Sequence, residues 1–319
     1  MLFVAGERFV LQTLFYVLSM VKVVQPLESY RLAQYAVQVP CYVCGEGNSF
    51  DAELCRHCFA PMALAHQASS QKVRPQMVAV IGTSGVGKTV YLGMLLDILS
   101  RQGPQMQVLA RGAFSITLQQ TVMGSLARGE FPVKTPNEPD RWNWVHCQIR
   151  AAPRREPIEL IVPDMAGEAV LEEVEHPHTY MGIRRFLSKC AGAIVLIDAA
   201  EMAGGKRDQD YFAMKLVSYL SELRDDEGKP WHERPLALVL SKADRCETCF
   251  DDPPRYAQRS ATGLWEHCTE RFPKHRFFAA GVAGACITHF VRGVGQVTAP
   301  LRIEPRGIVE PFEWLIGNL

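Results

Sequence analysis

The 319-residue sequence has no excess charge of either sign, since 34 lysines and arginines balance 34 aspartates and glutamates. Without a global field to gather polyanions, nucleic acid is not an expected partner, and any anion has to be held at a local site. Cysteine is too sparse for a disulfide scaffold, with 10 in the chain, and several stand as C-x-x-C pairs. That arrangement points to metal in a reducing compartment, so the chain is read as cytoplasmic. Long apolar runs are also missing. The nearest, Phe9–Val24, has 16 residues with Gln12, Ser19 and Lys22 inside it, short of the ~20 that a bilayer-spanning helix needs. Residues 1–38 are therefore expected to form an apolar helical segment packed on the domain, with Met20 as an alternative start; membrane attachment is less favoured. Internal repeats and low-complexity stretches are absent, which argues against a solenoid.

What is present is an ordinary globular composition, 48% hydrophobic and 21% charged, enough to bury a large core. The polar stretch "HQASSQKVRP" divides the chain. A linker is expected over residues 66–75, a small cysteine module over 39–65, and one large domain over 76–319. In the large part, short apolar runs alternate with helical patterns, which predicts an α/β fold with a mostly parallel sheet. Strands are expected near Met77–Gly82, Trp142–Arg150, Ile158–Pro163, Ala193–Asp198, Leu236–Ser241 and Arg276–Ala280. Helices are expected at Lys88–Ser100, Ala113–Arg128, Gly182–Lys189, Asp208–Asp225, Gln258–Phe272 and Val309–Ile316. The second and third strands are joined only by "AAPRREP", too short for a crossover helix, so they should form an antiparallel hairpin.

The stretch "VIGTSGVGKTVYLGML" places a glycine-rich turn between an apolar strand and a helix, with the spacing G-x-x-x-x-G-K-[ST]. Gly82, Thr83, Ser84, Gly85, Val86 and Gly87 can wrap backbone N–H groups around an anion, and Lys88 can reach the β- and γ-phosphates. Thr89 can ligate Mg²⁺ through its hydroxyl, at a helix N-terminus that itself favours phosphate. The run "IELIVPDMAGE" then supplies Asp164 at a strand end and Gly167 three residues on. The carboxylate would meet Mg²⁺ through water, and the Gly167 N–H would bond the γ-phosphate. A third strand, "LALVLSKADR", runs into Ser241, Lys242 and Asp244. A carboxylate there accepts from guanine N1–H and N2–H₂, donors that adenine does not present, and Lys242 would lie along the base.

In that order the motifs resemble those of the P-loop GTPases of the Ras-like, translation-factor-related class, over roughly Met77 to Leu319. Within it the chain is similar to double-GTPase-type families associated with bacterial conflict systems, through "GVGKTVYL" and "FPVKTP". The resemblance implies a Ras-like P-loop sheet flanked by helices, bound GTP or GDP, and Mg²⁺ held by Thr89, Asp164 and a switch threonine. The only threonine in "GEFPVKTPNEPDRW" is Thr135. It implies catalytic roles for Lys88, Thr135 and Glu168, the last standing where many relatives carry glutamine. Two further departures are Ser241 in place of asparagine or threonine, and "FFAAGVAG" in place of the usual purine loop, where a backbone N–H near Ala280 would meet guanine O6. Arg128 and Arg141 are weak candidates for a cationic finger in cis.

The cysteine block "CYVCGEGNSFDAELCRHCFAPM" sets Cys41 and Cys44 against Cys55 and Cys58. Four thiolates can close a tetrahedral Zn²⁺ site, and the block resembles the short zinc ribbons. A module this small cannot bury a sufficient core, so metal binding, worth on the order of 10–16 kcal/mol in comparable peptides, is expected to fold it. Its charges are Glu46, Asp51, Glu53 and Arg56, an acidic balance that favours a protein contact over a phosphate backbone. Cys246 and Cys249 would need His267 and Cys268 to make a second metal site, and are expected to be ordinary free thiols. The whole reads as a GTP-binding, slowly hydrolysing switch whose ribbon meets a protein effector. The alternatives are a non-hydrolysing assembly module and an ATPase.

Overall fold

The computed structural model describes residues 37–319 except 71–74, 102–105, 152–156, 206 and 294. The expected N-terminal helix therefore lies, up to residue 36, outside the described residues. The described chain opens with a short antiparallel pair, β1 (Gln38–Pro40) and β2 (Gly47–Ser49), followed by α1 (Met62–Ser70). The α/β part follows as β3 (Gln76–Gly82), α2 (Lys88–Arg101), β4 (Met106–Ala110), α3 (Ala113–Ala127), β5 (Asn143–Ala151), β6 (Ile158–Asp164), α4 (Gly167–Glu175) and α5 (Met181–Lys189). Next come β7 (Gly192–Asp198), α6 (Ala199–Ala203), α7 (Asp208–Glu222), β8 (Leu236–Ser241), α8 (Thr248–Asp251), α9 (Pro253–Ser260), α10 (Thr262–Arg271) and β9 (His275–Ala279). A hairpin of β10 (Gly281–Val291) and β11 (Gly295–Arg306) leads into α11 (Glu310–Gly317).

Seven strands make one sheet in the order β4-β5-β6-β3-β7-β8-β9. The central strands β3, β7 and β8 are unbroken apolar runs because both of their faces are covered by helices, which removes the alternation of a half-exposed strand. β3 lies parallel to β6 and β7, and β7–β8 and β8–β9 are parallel too. β5 and β6 form the expected antiparallel pair. On one face Leu92 and Leu95 of α2, Leu118 and Val122 of α3 and Phe312 and Leu315 of α11 pack on Val78 and Val80. On the other, Val170 of α4, Ile183 and Phe186 of α5 and Leu216 and Leu220 of α7 pack on Ala79 and Ile81. Carboxyl ends of β3, β6 and β8 therefore open at one edge, where open α/β sheets bind ligands.

Four features differ from the sequence expectation. The linker expected over 66–75 begins as helix, because α1 runs to Ser70 with Leu64 and Ala65 buried against the core. The helix expected over Gln258–Phe272 is broken at Ala261, whose φ of −139° ends α9 before α10 starts. β4 adds an edge strand antiparallel to β5. The β10–β11 hairpin occupies residues that carry no strand signal, since small residues and Pro300 dilute the period-2 pattern.

The cysteine module is not a free appendage. Cys41, Cys44, Cys55 and Cys58 are all buried in the core cluster that contains Ile183, Phe186 and Leu187 of α5. Arg185 donates to the Cys44 carbonyl at 2.7 Å, which ties the module to α5. Among the described residues no helix is long and apolar enough to cross a membrane.

Candidate functional site

The turn after β3 curls because Gly85 and Gly87 take φ of 71° and 101°, values that residues with a Cβ rarely adopt. Together with the loops after β6 and β8 it lines a cavity of about 330 Å³. The wall comprises Ser84 to Tyr91, Phe131 to Thr135, Ala166 to Glu168, Ser241, Lys242, Asp244 and the start of the hairpin at Ala280–Ala283, with Cys286 and Thr298 beyond it. A volume of that size falls in the range of small-ligand clefts. Of the predicted contacts, Gly82 and Thr83 lie behind this wall, and Asp164 stands just beneath it.

Lys88 is buried, and its ammonium donates to the Gly82 and Thr83 carbonyls at 3.0 and 2.9 Å. Burial brings its pKa down to about 8, against the pull of the Asp164 carboxylate. Anionic phosphate would restore the charged form. Nucleotide binding above pH 8 is therefore expected to take up a proton, and affinity to fall by up to about tenfold per pH unit above that point. Calorimetry in buffers of different ionisation enthalpy reads the proton directly; a pH-independent affinity between pH 7 and 9.5 would refute it.

Beneath Lys88, three oxygens converge. Thr89 Oγ1 donates to Asp164 Oδ2 at 2.8 Å, Thr135 Oγ1 donates to the same oxygen at 3.1 Å, and the two hydroxyls are 3.0 Å apart. Asp164 is fully buried, which raises its pKa, and its Oδ1 has no hydrogen-bond partner. A hard all-oxygen set with an orphaned carboxylate oxygen fits Mg²⁺. The sequence left the register of Thr135 open, and the fold brings it here across 46 residues from Thr89. Gly167 packs so tightly on the turn that an added Cβ would lie 2.5 Å from the Thr83 carbonyl carbon. Beside it, burial raises the Glu168 carboxyl, but the Lys134 ammonium paired with it brings it net below its ordinary value.

At the other end, Ser241 Oγ donates to the Val86 carbonyl at 3.0 Å and to Ile197 at 3.2 Å. The shorter side chain thus still ties the base loop to the phosphate loop. Lys242, in a left-handed conformation, donates to Asp198 at 2.5 Å, and Asp244 is half-buried with its pKa raised by burial. One expectation fails. The Ala280 N–H donates to the Leu240 carbonyl at 2.9 Å, so although Ala280 lines the cavity its N–H is not free for guanine O6. That bond follows directly on the last paired residues of the parallel β8–β9 ladder, Leu240 and Ala279, and consumes the donor. Neither Arg128, paired with Glu130, nor Arg141, exposed, is on the cavity wall.

Three contributors carried little or no readable sequence signal. Gln209 of α7 accepts from Thr83 Oγ1 at 2.9 Å and donates to Glu201 at 2.7 Å, bracing the phosphate loop from behind. Gly281 lets the hairpin start against Asp244, where a Cβ would sit 2.5 Å from Oδ1. Lys134 is the third; its position next to Thr135 was the one available clue.

The four cysteine sulfurs lie within 4.8 Å of one another, with Cys41–Cys58 at 3.6 Å and Cys44–Cys55 at 3.5 Å. Sulfurs about 2.3 Å from a tetrahedral Zn²⁺ are roughly 3.8 Å apart, so the donor set and spacing fit zinc. Among the described residues this is the one such cluster. Cys246 instead bonds Tyr256 and Thr248, His267 faces Ser218, and Cys268 is buried, so the alternative second set does not assemble.

A glycine-rich phosphate loop, a threonine and aspartate beneath it, and a mostly parallel sheet flanked by helices define a P-loop GTPase domain with an attached four-cysteine ribbon. Over residues 79–215 the chain matches the family model of Double-GTPase 1, a span that holds Lys88, Thr135, Asp164 and Glu168 but stops short of the base loop and excludes the ribbon. No curated protein matches the chain. Among solved structures, a nucleolar GTP-binding protein 1 of Plasmodium falciparum aligns at 13% identity with a TM-score of 0.36, over 66% of this chain and 79% of that one.

Proposed function

We propose that the protein is a GTP-specific molecular switch that hydrolyses its nucleotide slowly and reports its state to a protein partner. The observation that carries this reading is a single cavity with the phosphate loop at one end and Asp244 at the other, joined through Ser241. Phosphate would lie on Gly85 to Thr89, with Lys88 turning from its loop carbonyls to the β- and γ-oxygens. Mg²⁺, held by Thr89, Thr135 and Asp164, would supply charge neutralisation at the phosphates. Thr135 would close its loop in the triphosphate state and release it after hydrolysis, which is a switch by ordering. Glu168 would orient the attacking water, and a carboxylate beside anionic phosphate does so less well than an amide, which is the reason for slow turnover. On the ribbon, Phe50, Leu54 and Phe59 are exposed, an apolar set suited to an effector protein.

The base choice provides the test. A carboxylate at position 244 only accepts, whereas an amide offers one acceptor and one donor. Asp244→Asn is expected to weaken GTP at least about tenfold and strengthen XTP by a similar factor, because each mismatch leaves a buried polar group unpaired at roughly 1–3 kcal/mol. Competition binding with GTP, ATP and XTP measures it. Equal binding of GTP and ATP by the parent, with no shift in the variant, would replace this reading by an ATPase or an unselective site.

A further inference from the structure

The proposed switch gives Lys134 no role, yet its placement is specific. It stands beside Thr135 in the loop before β5, lines the nucleotide cavity and pairs its ammonium with Glu168 Oε1. The second oxygen, Glu168 Oε2, is buried and has no hydrogen-bond partner. A second cation acts on the same spot, since Lys134 lies close enough to Lys88 to oppose its charge. Asp164 and Glu168 are the anions that act on Lys88, and Glu168 is the one paired with Lys134. Neither Arg128 nor Arg141 lines the cavity, so among the described residues the cation that this loop brings to the wall is Lys134.

Resting on the GTPase reading, we infer that Lys134 is a catalytic cation supplied in cis, and that Lys134 and Glu168 together do the work for which a single glutamine would otherwise serve. The carboxylate holds the water through Oε2. The ammonium cancels the carboxylate's repulsion toward phosphate and donates to a γ-phosphate oxygen as charge builds there. In the step, the water oxygen bonds to the γ-phosphorus while the bond from that phosphorus to the β,γ-bridging oxygen breaks. The water proton passes to a phosphate oxygen, and GDP and inorganic phosphate leave. No oxidant or further reactant is required. Because Thr135 and Lys134 are adjacent, closing the loop over the triphosphate would deliver metal ligand and cation together.

The experiment uses the full chain, with three readouts: GTP affinity by calorimetry, single-turnover hydrolysis, and binding of GDP with aluminium fluoride, which imitates the transferring phosphoryl group. Lys134→Met should slow hydrolysis about a hundredfold and lose the aluminium fluoride complex, while GTP and GDP affinities stay within about threefold. Lys134→Arg should keep the rate within about tenfold, since it preserves the charge. Adding Lys134→Met to Glu168→Gln should cost clearly less than the roughly hundredfold it costs in the parent, because the carboxylate to be neutralised is gone and only the γ-phosphate contact is lost. A hydrolysis rate unchanged in Lys134→Met would overturn the inference. So would a fall in GTP affinity as large as the fall in rate, which marks a structural strut, or a fully additive double variant. A parent protein that binds no GTP fails at the earlier reading, and that result is distinct from any of these.

Discussion

Lys88→Met is expected to weaken GTP at least about a hundredfold while leaving the nucleotide-free protein as stable as the parent, or slightly more so. The two effects have opposite sign because the ammonium does different things in the two states. Without nucleotide it is buried on two carbonyls, and burial depresses its pKa to about 8 from 10.5. A lysine whose folded pKa is depressed costs stability below about pH 8, and that cost fades as pH rises toward 10.5, where the unfolded chain also loses its proton. Methionine has similar length and no charge, so the cost disappears. With nucleotide, the same ammonium is the cation nearest the phosphates, and losing a charge-assisted contact in a dry site is worth about 3 kcal/mol or more, equivalent to about a hundredfold in affinity. Calorimetry gives the affinity and thermal melting the stability. GTP affinity kept within threefold would remove the phosphate-loop assignment; a large loss of nucleotide-free stability would mean that the lysine is structural.

The second large effect is expected at the ribbon. Purified under reducing conditions, the protein should carry about one Zn²⁺ per chain, and the double change Cys41→Ser, Cys55→Ser should abolish it. Because the four cysteines are buried with Ile183, Phe186 and Leu187 of α5, loss of the metal would not merely release a small module. It would uncover the outer face of α5 and free Arg185 from the Cys44 carbonyl. Trp144, in edge contact with Phe186 at 6.2 Å between ring centres, reports on that region by fluorescence. A cost of roughly 5 kcal/mol corresponds to a fall of about 10 °C or more in a domain of this size. Zinc content near zero in the parent would refute the metal assignment, and an unchanged melting temperature in the variant would show the ribbon to be energetically separate.

Much of the sheet was legible in the chain. β3, β6, β7 and β8 are apolar runs bounded by turn residues, and their pattern does not depend on neighbours far away in sequence. α2, α3 and α5 were legible for the same reason. β4 and the β10–β11 hairpin were not, since their pairing is non-local and their composition is small or mixed; strand preference is set largely by what a residue packs against. Ala280 illustrates the difference within one residue. Its place beside the base loop could be anticipated from motif order, but whether its N–H is free depends on how far the β8–β9 ladder runs.

The sequence by itself determined the chemistry on offer: a phosphate loop with Lys88 and Thr89, an acidic residue at Asp164, an acceptor-only side chain at Asp244, and four thiols spaced for one tetrahedral ion. These are local statements, because backbone conformation and donor type are encoded within a few residues. Only the tertiary structure decided what meets what. It brought Thr135 to Asp164, set Gln209 behind Thr83, paired Lys134 with Glu168, and pressed the ribbon into the core against α5. Those contacts join residues far apart in the chain, and burial on both faces of one sheet, which no short stretch encodes, is the force that brings them together.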